Sequence, residues 1–203
     1  MHMSPNSRSQ FQFISVRWQS AVCWFLSFVM LASCQLTYAN GGMLIVSKDK
    51  GKTYLLFVQT HKHEYYEFPG GRQEEGASLL DNKRRLESVY ETALRETVEE
   101  MRGYLGRQQL LSVSSEKRVI EVDKFKLFVA NVPFFQLNDV RAIKIPSGKK
   151  WSVMREVVNY AWVDVNSVEF GSNSLVTTLD GDVITMHPIA QEVVKRGLSQ
   201  QLF

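Results

Sequence analysis

Three glutamates and an arginine stand close together in the run Arg95-Glu96-Thr97-Val98-Glu99-Glu100 and are candidates for catalysis or metal binding. Residues 87–101 around it are good helix formers without Pro or Gly, which predicts a helix. Positions i, i+3 and i+4 share one helical face, so Glu96, Glu99 and Glu100 are expected to meet on one patch. Close carboxylates repel one another unless a cation lies between them, and hard oxygen ligands suit Mg²⁺ or Mn²⁺. A solvated acidic face fits the same pattern, so the surrounding sequence has to decide.

A glycine-containing motif precedes this run, as Glu67-Phe68-Pro69-Gly70-Gly71 followed by Glu75-Gly76. Glu87 precedes Arg95 with seven residues between them. Taken together, these motifs resemble the signature of the Nudix hydrolase family, G-x5-E-x7-R-E-U-x-E-E-x-G-U, in which U is a bulky aliphatic residue. The resemblance covers roughly residues 41–168.

The sequence departs from that signature at three points. Fifteen residues, 72–86, separate Gly71 from Glu87 where the family has five. We interpret the extra length, around residues 78–85, as a surface excursion of a polar loop, because added loop length costs little entropy. Thr97 replaces the aliphatic residue, and Arg102 occupies the last glycine position.

The resemblance implies an α/β fold, a Nudix-type α/β/α sandwich with a mixed sheet. It also implies a pyrophosphohydrolase that uses Mg²⁺, or Mn²⁺, to cleave a diphosphate linkage in a nucleoside diphosphate linked to another moiety, or in a related small molecule. The metal ligands it implies are Glu99 and Glu100 first, then Glu96 as a ligand or the base, and Glu87. The Gly71 carbonyl is a further candidate ligand, since a residue without a side chain lets its backbone approach an ion closely.

Arg95 would orient a carboxylate through a forked hydrogen bond, which makes it a catalytic candidate together with Glu96 and Glu99. Arg72 is the candidate for substrate binding. The general base stays open between a glutamate of the run and a later acid, for which Glu116 and Glu156 are the candidates.

The remaining chain predicts strands and one more helix. Apolar runs at residues 42–46 and 54–58, joined by a polar turn, predict a pair of strands. Runs at residues 110–113, 118–122, 124–132 and 157–163 predict further strands, because they are rich in β-branched and aromatic residues. Residues 188–198 predict a closing amphipathic helix. This order of elements favours a mixed α/β sandwich over a regular βαβ array.

Composition indicates a globular chain of 203 residues, with 44% hydrophobic and 22% charged residues. The net charge of +3 is spread along the chain, so charge alone does not indicate a nucleic-acid partner. The expected partner is a small-molecule diphosphate.

Residues 1–39 are predicted to be a leader that precedes a domain of residues 40–203. They contain Arg8 and Arg17, no Asp or Glu, and an apolar run that is too short to span a bilayer. The leader contains two candidate processing sites: a lipobox-like sequence that ends at Cys34, where a lipid could attach, and an A-x-A-like site that ends at Ala39. The protein is therefore expected to be exported, either free or lipid-anchored. It would be cytoplasmic if translation really starts near Met43.

Two other functions fit the sequence. The domain could be a binding module that keeps the fold but turns over weakly or not at all. It could also be a membrane-tethered interaction protein with a lipid on Cys34. The only cysteines, Cys23 and Cys34, both lie in the predicted leader, so a mature chain would have no thiol chemistry.

Overall fold

The computed structural model describes residues 39–77, 84–148, 152–170 and 174–203. The predicted leader, apart from Ala39, lies outside the described residues, and so do Cys34 and residues 78–83 of the excursion. Within those ranges, no helix is long and apolar enough to cross a membrane.

The secondary structure alternates strands with short helices. The strands are β1 Asn40–Asp49, β2 Lys52–Thr60, β3 Gly70–Arg72, β4 Glu75–Ala77, β5 Arg84–Leu86, β6 Ser114–Val122, β7 Phe125–Asn131, β8 Val157–Asp164, β9 Leu175–Thr177 and β10 Val183–Thr185. The α-helices are α1 Val89–Glu100, α2 Arg107–Val113, α3 Leu137–Arg141 and α4 Pro188–Ser199. Two 3₁₀ turns flank β8, at Val153–Arg155 and Val165–Ser167.

The main sheet of the described residues has the order β6-β7-β1-β2-β8, and β3 pairs with β1 as a sixth strand. β1 pairs in parallel with β7 and antiparallel with β2 and β3, so the sheet is mixed. The end of β1 pairs with the start of β2, whereas its first residues, from Asn40 to Gly42, pair with β3. β3 therefore places Gly70 and Gly71 beside the first residues of β1.

The core lies on both faces of this sheet. Alternate residues of β1 point to opposite sides: Met43 and Ile45 join one buried cluster with α1, while Leu44 and Val46 join a second cluster with α4. Each large aliphatic side chain buried in this way contributes about 1.5–3 kcal/mol. The arrangement confirms the predicted α/β fold, with helices on both faces of a mixed sheet.

One predicted strand is wrong. Residues 110–113 belong to α2, which starts after Gly106 and buries only Leu110 among its seven residues. A short apolar run cannot distinguish a strand from one face of a short helix, and here the polar residues 107–109 continue the helical turn. The helix predicted for residues 188–198 is confirmed as α4.

The polar loop predicted after the glycines is also wrong in part. Gly70–Arg72 is itself a strand, and β4 and β5 pair antiparallel as a hairpin in the excursion. The hairpin is tied to the body, because Arg85 donates two hydrogen bonds to Glu91, at 2.8 and 3.0 Å. The Glu91 side chain is fully buried, whereas that of Arg85 is 40% exposed. Arg85, at the end of the excursion, is therefore anchored to α1.

We expect Arg85→Met to lower the free energy of unfolding by about 2–3 kcal/mol. The variant removes the Arg85 cation from the buried Glu91 carboxylate, and loss of one partner of a buried pair costs about 3–5 kcal/mol when both are buried. Urea unfolding measures the change. The double variant with Glu91→Gln should recover much of the loss, and a single-variant loss below about 0.5 kcal/mol, as for a surface pair, would contradict this role.

Candidate active site

The helix α1 carries the site and begins at a well-formed cap. The Ser88 hydroxyl accepts a hydrogen bond from the backbone N–H of Glu91, and the Glu91 carboxylate accepts one from the backbone N–H of Ser88. This capping box fixes the start of the helix, about two residues later than predicted. Glu87 therefore precedes the helix, and its carboxylate accepts a hydrogen bond from Thr92 in the first turn.

Arg95 lies at the centre of the predicted carboxylates. Its guanidinium donates to both oxygens of Glu87, at 2.8 and 3.2 Å, and to Glu99 at 3.1 Å. Its Nη1 also lies 2.9 Å from Glu96, and its Nη2 donates to the carbonyl of Arg72 at 3.0 Å. The side chain is only 14% exposed. One cation thus binds three carboxylates and links α1 to β3.

The two glycines of β3 bring this strand against the acidic face of α1. The backbone N–H of Gly70 donates to the Glu100 carboxylate at 3.0 Å. A Cβ atom on Gly71 would overlap the Glu96 carboxylate in its present position, so glycine allows this close approach. The predicted residues Gly71, Glu87, Arg95, Glu96, Glu99 and Glu100 therefore belong to one cluster.

The electrostatics of the cluster are those of buried carboxylates in excess over cations. Burial raises the pKa of Glu96 to about 7; Arg95 opposes this shift and the charge of Glu99 adds to it. Burial also raises the pKa of Glu99, and that of Glu100 lies well above its usual range. Burial would lower the pKa of Arg95, but the hydrogen bond to Glu87 and the neighbouring carboxylates raise it overall. Arg95 alone does not neutralise this site, because three of its carboxyl groups still resist ionisation.

The chemistry of these donors fits a hard divalent cation. Carboxylates and a backbone carbonyl are the ligands that Mg²⁺ and Mn²⁺ prefer, and a cation would relieve the repulsion that raises these pKa values. In the described ranges, however, no three His, Cys, Asp or Glu side chains already surround one point. The carboxylates of Glu87, Glu96 and Glu99 turn toward Arg95 instead. Binding would therefore require side-chain rotation within the cluster.

The other predicted residues are placed less directly. Arg72 lies exposed at the end of β3 beside Arg95, and its role in substrate binding stays a prediction. Glu156 precedes β8, and its charge adds to the raised pKa of Glu100, while its carboxylate binds Lys62 at 2.6 Å. Glu116 lies exposed in the edge strand β6. Of the two candidate bases, only Glu156 lies close enough to influence the cluster.

Three residues that sequence reasoning did not single out also act on the cluster. The charge of Glu67 adds to the raised pKa of Glu100, and that of Glu74 adds to those of Glu96 and Glu99. Tyr160, in β8, donates from its hydroxyl to the backbone carbonyl of Glu100 at 2.7 Å. Glu67 belongs to the glycine-containing motif, so the sequence could have indicated it as a site residue, whereas no local sequence pattern indicates Tyr160.

Thr97 is buried within α1, and its hydroxyl has no hydrogen-bond partner among the residues that the structure describes. We expect Thr97→Val to raise the free energy of unfolding by about 1 kcal/mol, because the variant keeps the shape and removes an unsatisfied buried group. The melting temperature should rise by roughly 2–4 °C. Thr92→Val is the matched control: it should destabilise, because that hydroxyl binds Glu87 and Ser88. Equal destabilisation of both variants would contradict the prediction.

Comparisons with known proteins give a limited likeness. No family model and no curated protein matches the sequence. Among solved structures, a binary complex of the C. elegans Ap4A hydrolase is 18% identical with a TM-score of 0.48, over 82% of this chain and 98% of that chain. A second structure of the C. elegans Ap4A hydrolase is 16% identical with a TM-score of 0.47, over 83% of this chain and all of that chain.

Proposed function

We propose that this chain is a Nudix-type hydrolase that uses Mg²⁺ or Mn²⁺ to cleave a diphosphate linkage. The observation that carries the proposal is one buried cluster, in which Arg95 binds Glu87, Glu96 and Glu99 while Gly70 binds the neighbouring Glu100. The same residues carry the resemblance in the sequence. A solvated acidic face, the alternative, would not bury its carboxylates or raise their pKa values.

The chemistry follows from the charge of the substrate. A diphosphate carries negative charges that repel a nucleophile, and a bound divalent cation would neutralise them and acidify a water molecule. Glu99 and Glu100 would hold the cation, with Glu96 as a further ligand or as the base that accepts a proton from water. Glu87 holds Arg95, and Arg95 orients Glu96 and Glu99. The carbonyl of Gly71 is a further candidate ligand.

The proposed substrate is a nucleoside diphosphate linked to another moiety, or a related small diphosphate. The experiment is a screen of the purified protein against nucleotide sugars, dinucleoside polyphosphates, oxidised nucleotides and inositol diphosphates, with Mg²⁺ or Mn²⁺. Phosphorus NMR identifies the bond that breaks. Turnover of at least one class that stops with chelator supports the proposal, and no turnover of any class in a folded protein contradicts it.

A binding module without turnover is the second candidate function. The observations that favour it are the side chains that turn toward Arg95 and the departures at Thr97 and Arg102. Metal-dependent binding of a diphosphate, detected by calorimetry without release of products, would establish this alternative.

Export of the domain is also a proposal, based on the acid-free leader and its apolar run. A reporter fused after Gly42 should leave the cytoplasm, and a reporter that stays there uncleaved contradicts export. Membrane fractionation with and without Cys34→Ala separates a lipid-anchored protein from one that is exported freely.

A further inference from the structure

The last turn of α1 has all its carbonyl groups paired. The carbonyls of Thr97, Val98 and Glu99 accept the backbone N–H groups of residues 101, 103 and 102, respectively, as in a Schellman motif. The carbonyl of Glu100 accepts the hydroxyl of Tyr160 from β8. Tyr160 is 2% exposed, so this hydrogen bond is buried and joins the end of the helix to the sheet.

Arg102 sits just beyond this turn in a conformation that suits glycine. Its φ of 54° is left-handed, which is strained for a residue with a side chain. The side chain donates to the carbonyl of Val157 at 3.1 Å and to that of Arg141 at 3.3 Å. Its guanidinium lies 5.8 Å from the centre of the Tyr160 ring. The left-handed backbone at Arg102 therefore directs its side chain to hydrogen-bond with β8 and α3 and to lie beside the Tyr160 ring.

These contacts act on the part of the helix that carries two of the proposed cation ligands. Glu99 and Glu100 are the last two residues of α1, where a helix frays most easily. The Glu100 residue is held at both ends, since Gly70 binds its carboxylate and Tyr160 binds its carbonyl. Loss of the second contact would let the last turn shift relative to β3.

We infer that Tyr160 and Arg102 are positioning residues, which fix the last turn of α1 so that Glu99 and Glu100 can bind a divalent cation together. This inference rests on the proposed function. Neither residue needs to touch the cation or the substrate. The contacts of Arg102 and Tyr160 stabilise the end of α1 at the position where the Nudix signature has a glycine.

The test measures Mn²⁺ binding directly by calorimetry, without substrate, at a temperature where every variant is folded. Tyr160→Phe removes one hydroxyl, and we expect the dissociation constant for Mn²⁺ to rise about three- to tenfold. Tyr90→Phe is the matched control, because Tyr90 lies in the first turn of the same helix and its hydroxyl pairs with Ser114 at 2.7 Å. It should lose comparable stability and leave Mn²⁺ affinity unchanged.

Arg102→Gly tests whether the position of the last turn of α1, and not the stability of the fold, controls Mn²⁺ binding. Glycine suits the left-handed backbone, so the variant should fold but lose the side-chain contacts of Arg102 with β8, α3 and the Tyr160 ring. Removal of a positive charge would by itself strengthen cation binding, so weaker binding points to a shifted turn. Lys50→Gly is the control, because Lys50 has a φ of 49° and lies in the turn between β1 and β2. It should leave Mn²⁺ affinity unchanged.

The outcomes distinguish the inference from the proposed function. Wild-type protein that binds no Mn²⁺ would overturn both. Wild-type protein that binds Mn²⁺, with Tyr160→Phe and Arg102→Gly binding it equally well, would overturn the inference alone. Weaker binding in both variants, with both controls unchanged, supports it. If Tyr160→Phe does not fold, Arg102→Gly decides.

Discussion

Replacement of Glu99 with Gln is expected to lower turnover of the diphosphate substrate by roughly a hundredfold or more. Gln keeps the size and much of the hydrogen bonding but removes the charge of a proposed cation ligand. Loss of a metal-supported transition state is expected to cost several kcal/mol, at about 1.4 kcal/mol for each factor of ten in rate. Initial rates over a range of Mg²⁺ concentrations measure the loss, and excess Mg²⁺ should restore part of it.

The folded state should tolerate this change. Burial and nearby acids raise the pKa of Glu99, so its charge is unfavourable in the metal-free protein and its removal should leave the melting temperature equal or slightly higher. Glu192→Gln is the control, because Glu192 also pairs with an arginine four residues away in a helix, Arg196 in α4. That control should keep full activity. Full activity in Glu99→Gln as well would show that Glu99 belongs to an acidic face without a catalytic role.

Replacement of Arg95 with Met is expected to lower the free energy of unfolding of the metal-free protein by about 3–5 kcal/mol. Arg95 is the cation that binds Glu87, Glu96 and Glu99, and its loss leaves these buried carboxylates to repel one another. The loss should be greatest above pH 8 and smaller near pH 6, where protonation relieves the repulsion. Urea unfolding at both pH values measures it.

Two comparisons test this explanation. Added Mg²⁺ should restore more stability to Arg95→Met than it gives to the wild type, because the cation replaces the missing positive charge. Arg95→Lys should be intermediate, since an ammonium keeps the charge but cannot reproduce the fork that binds both oxygens of Glu87. A loss that is the same at both pH values and insensitive to Mg²⁺ would show that Arg95 stabilises the fold by packing alone.

The sequence was most informative where structure depends on local spacing. The helix predicted for residues 87–101 is α1, and helical periodicity puts Glu96, Glu99 and Glu100 on one face of it. The short strand β3 was missed, since glycines rarely form strands and its partner β1 lies about thirty residues away. The hairpin of the excursion depends in the same way on pairing between segments.

The contacts of the site that join distant residues could not be predicted from one sequence. Tyr160 and Glu100 are separated by 60 positions, and Gly70 and Glu100 by 30. The departure at Arg102 was visible, but its physical reason was not. The structure shows a left-handed residue whose side chain reaches two carbonyls on other elements, which offsets a backbone strain of about 1–2 kcal/mol.

We expect the acidic cluster of Glu87, Glu96, Glu99 and Glu100 to bind a divalent cation, and calorimetric titration of Mn²⁺ at pH 7 measures that binding. Two buffers of different protonation enthalpy report the protons released. The pKa of Glu96 is raised to about 7, so Glu96 is partly protonated before the cation enters. We expect saturable binding with net release of protons, because the cation displaces those held by Glu96 and by the other ligand carboxyl groups whose pKa values are raised, and much weaker binding in Glu100→Gln. No saturable binding, or binding that Glu100→Gln leaves unchanged, would contradict it.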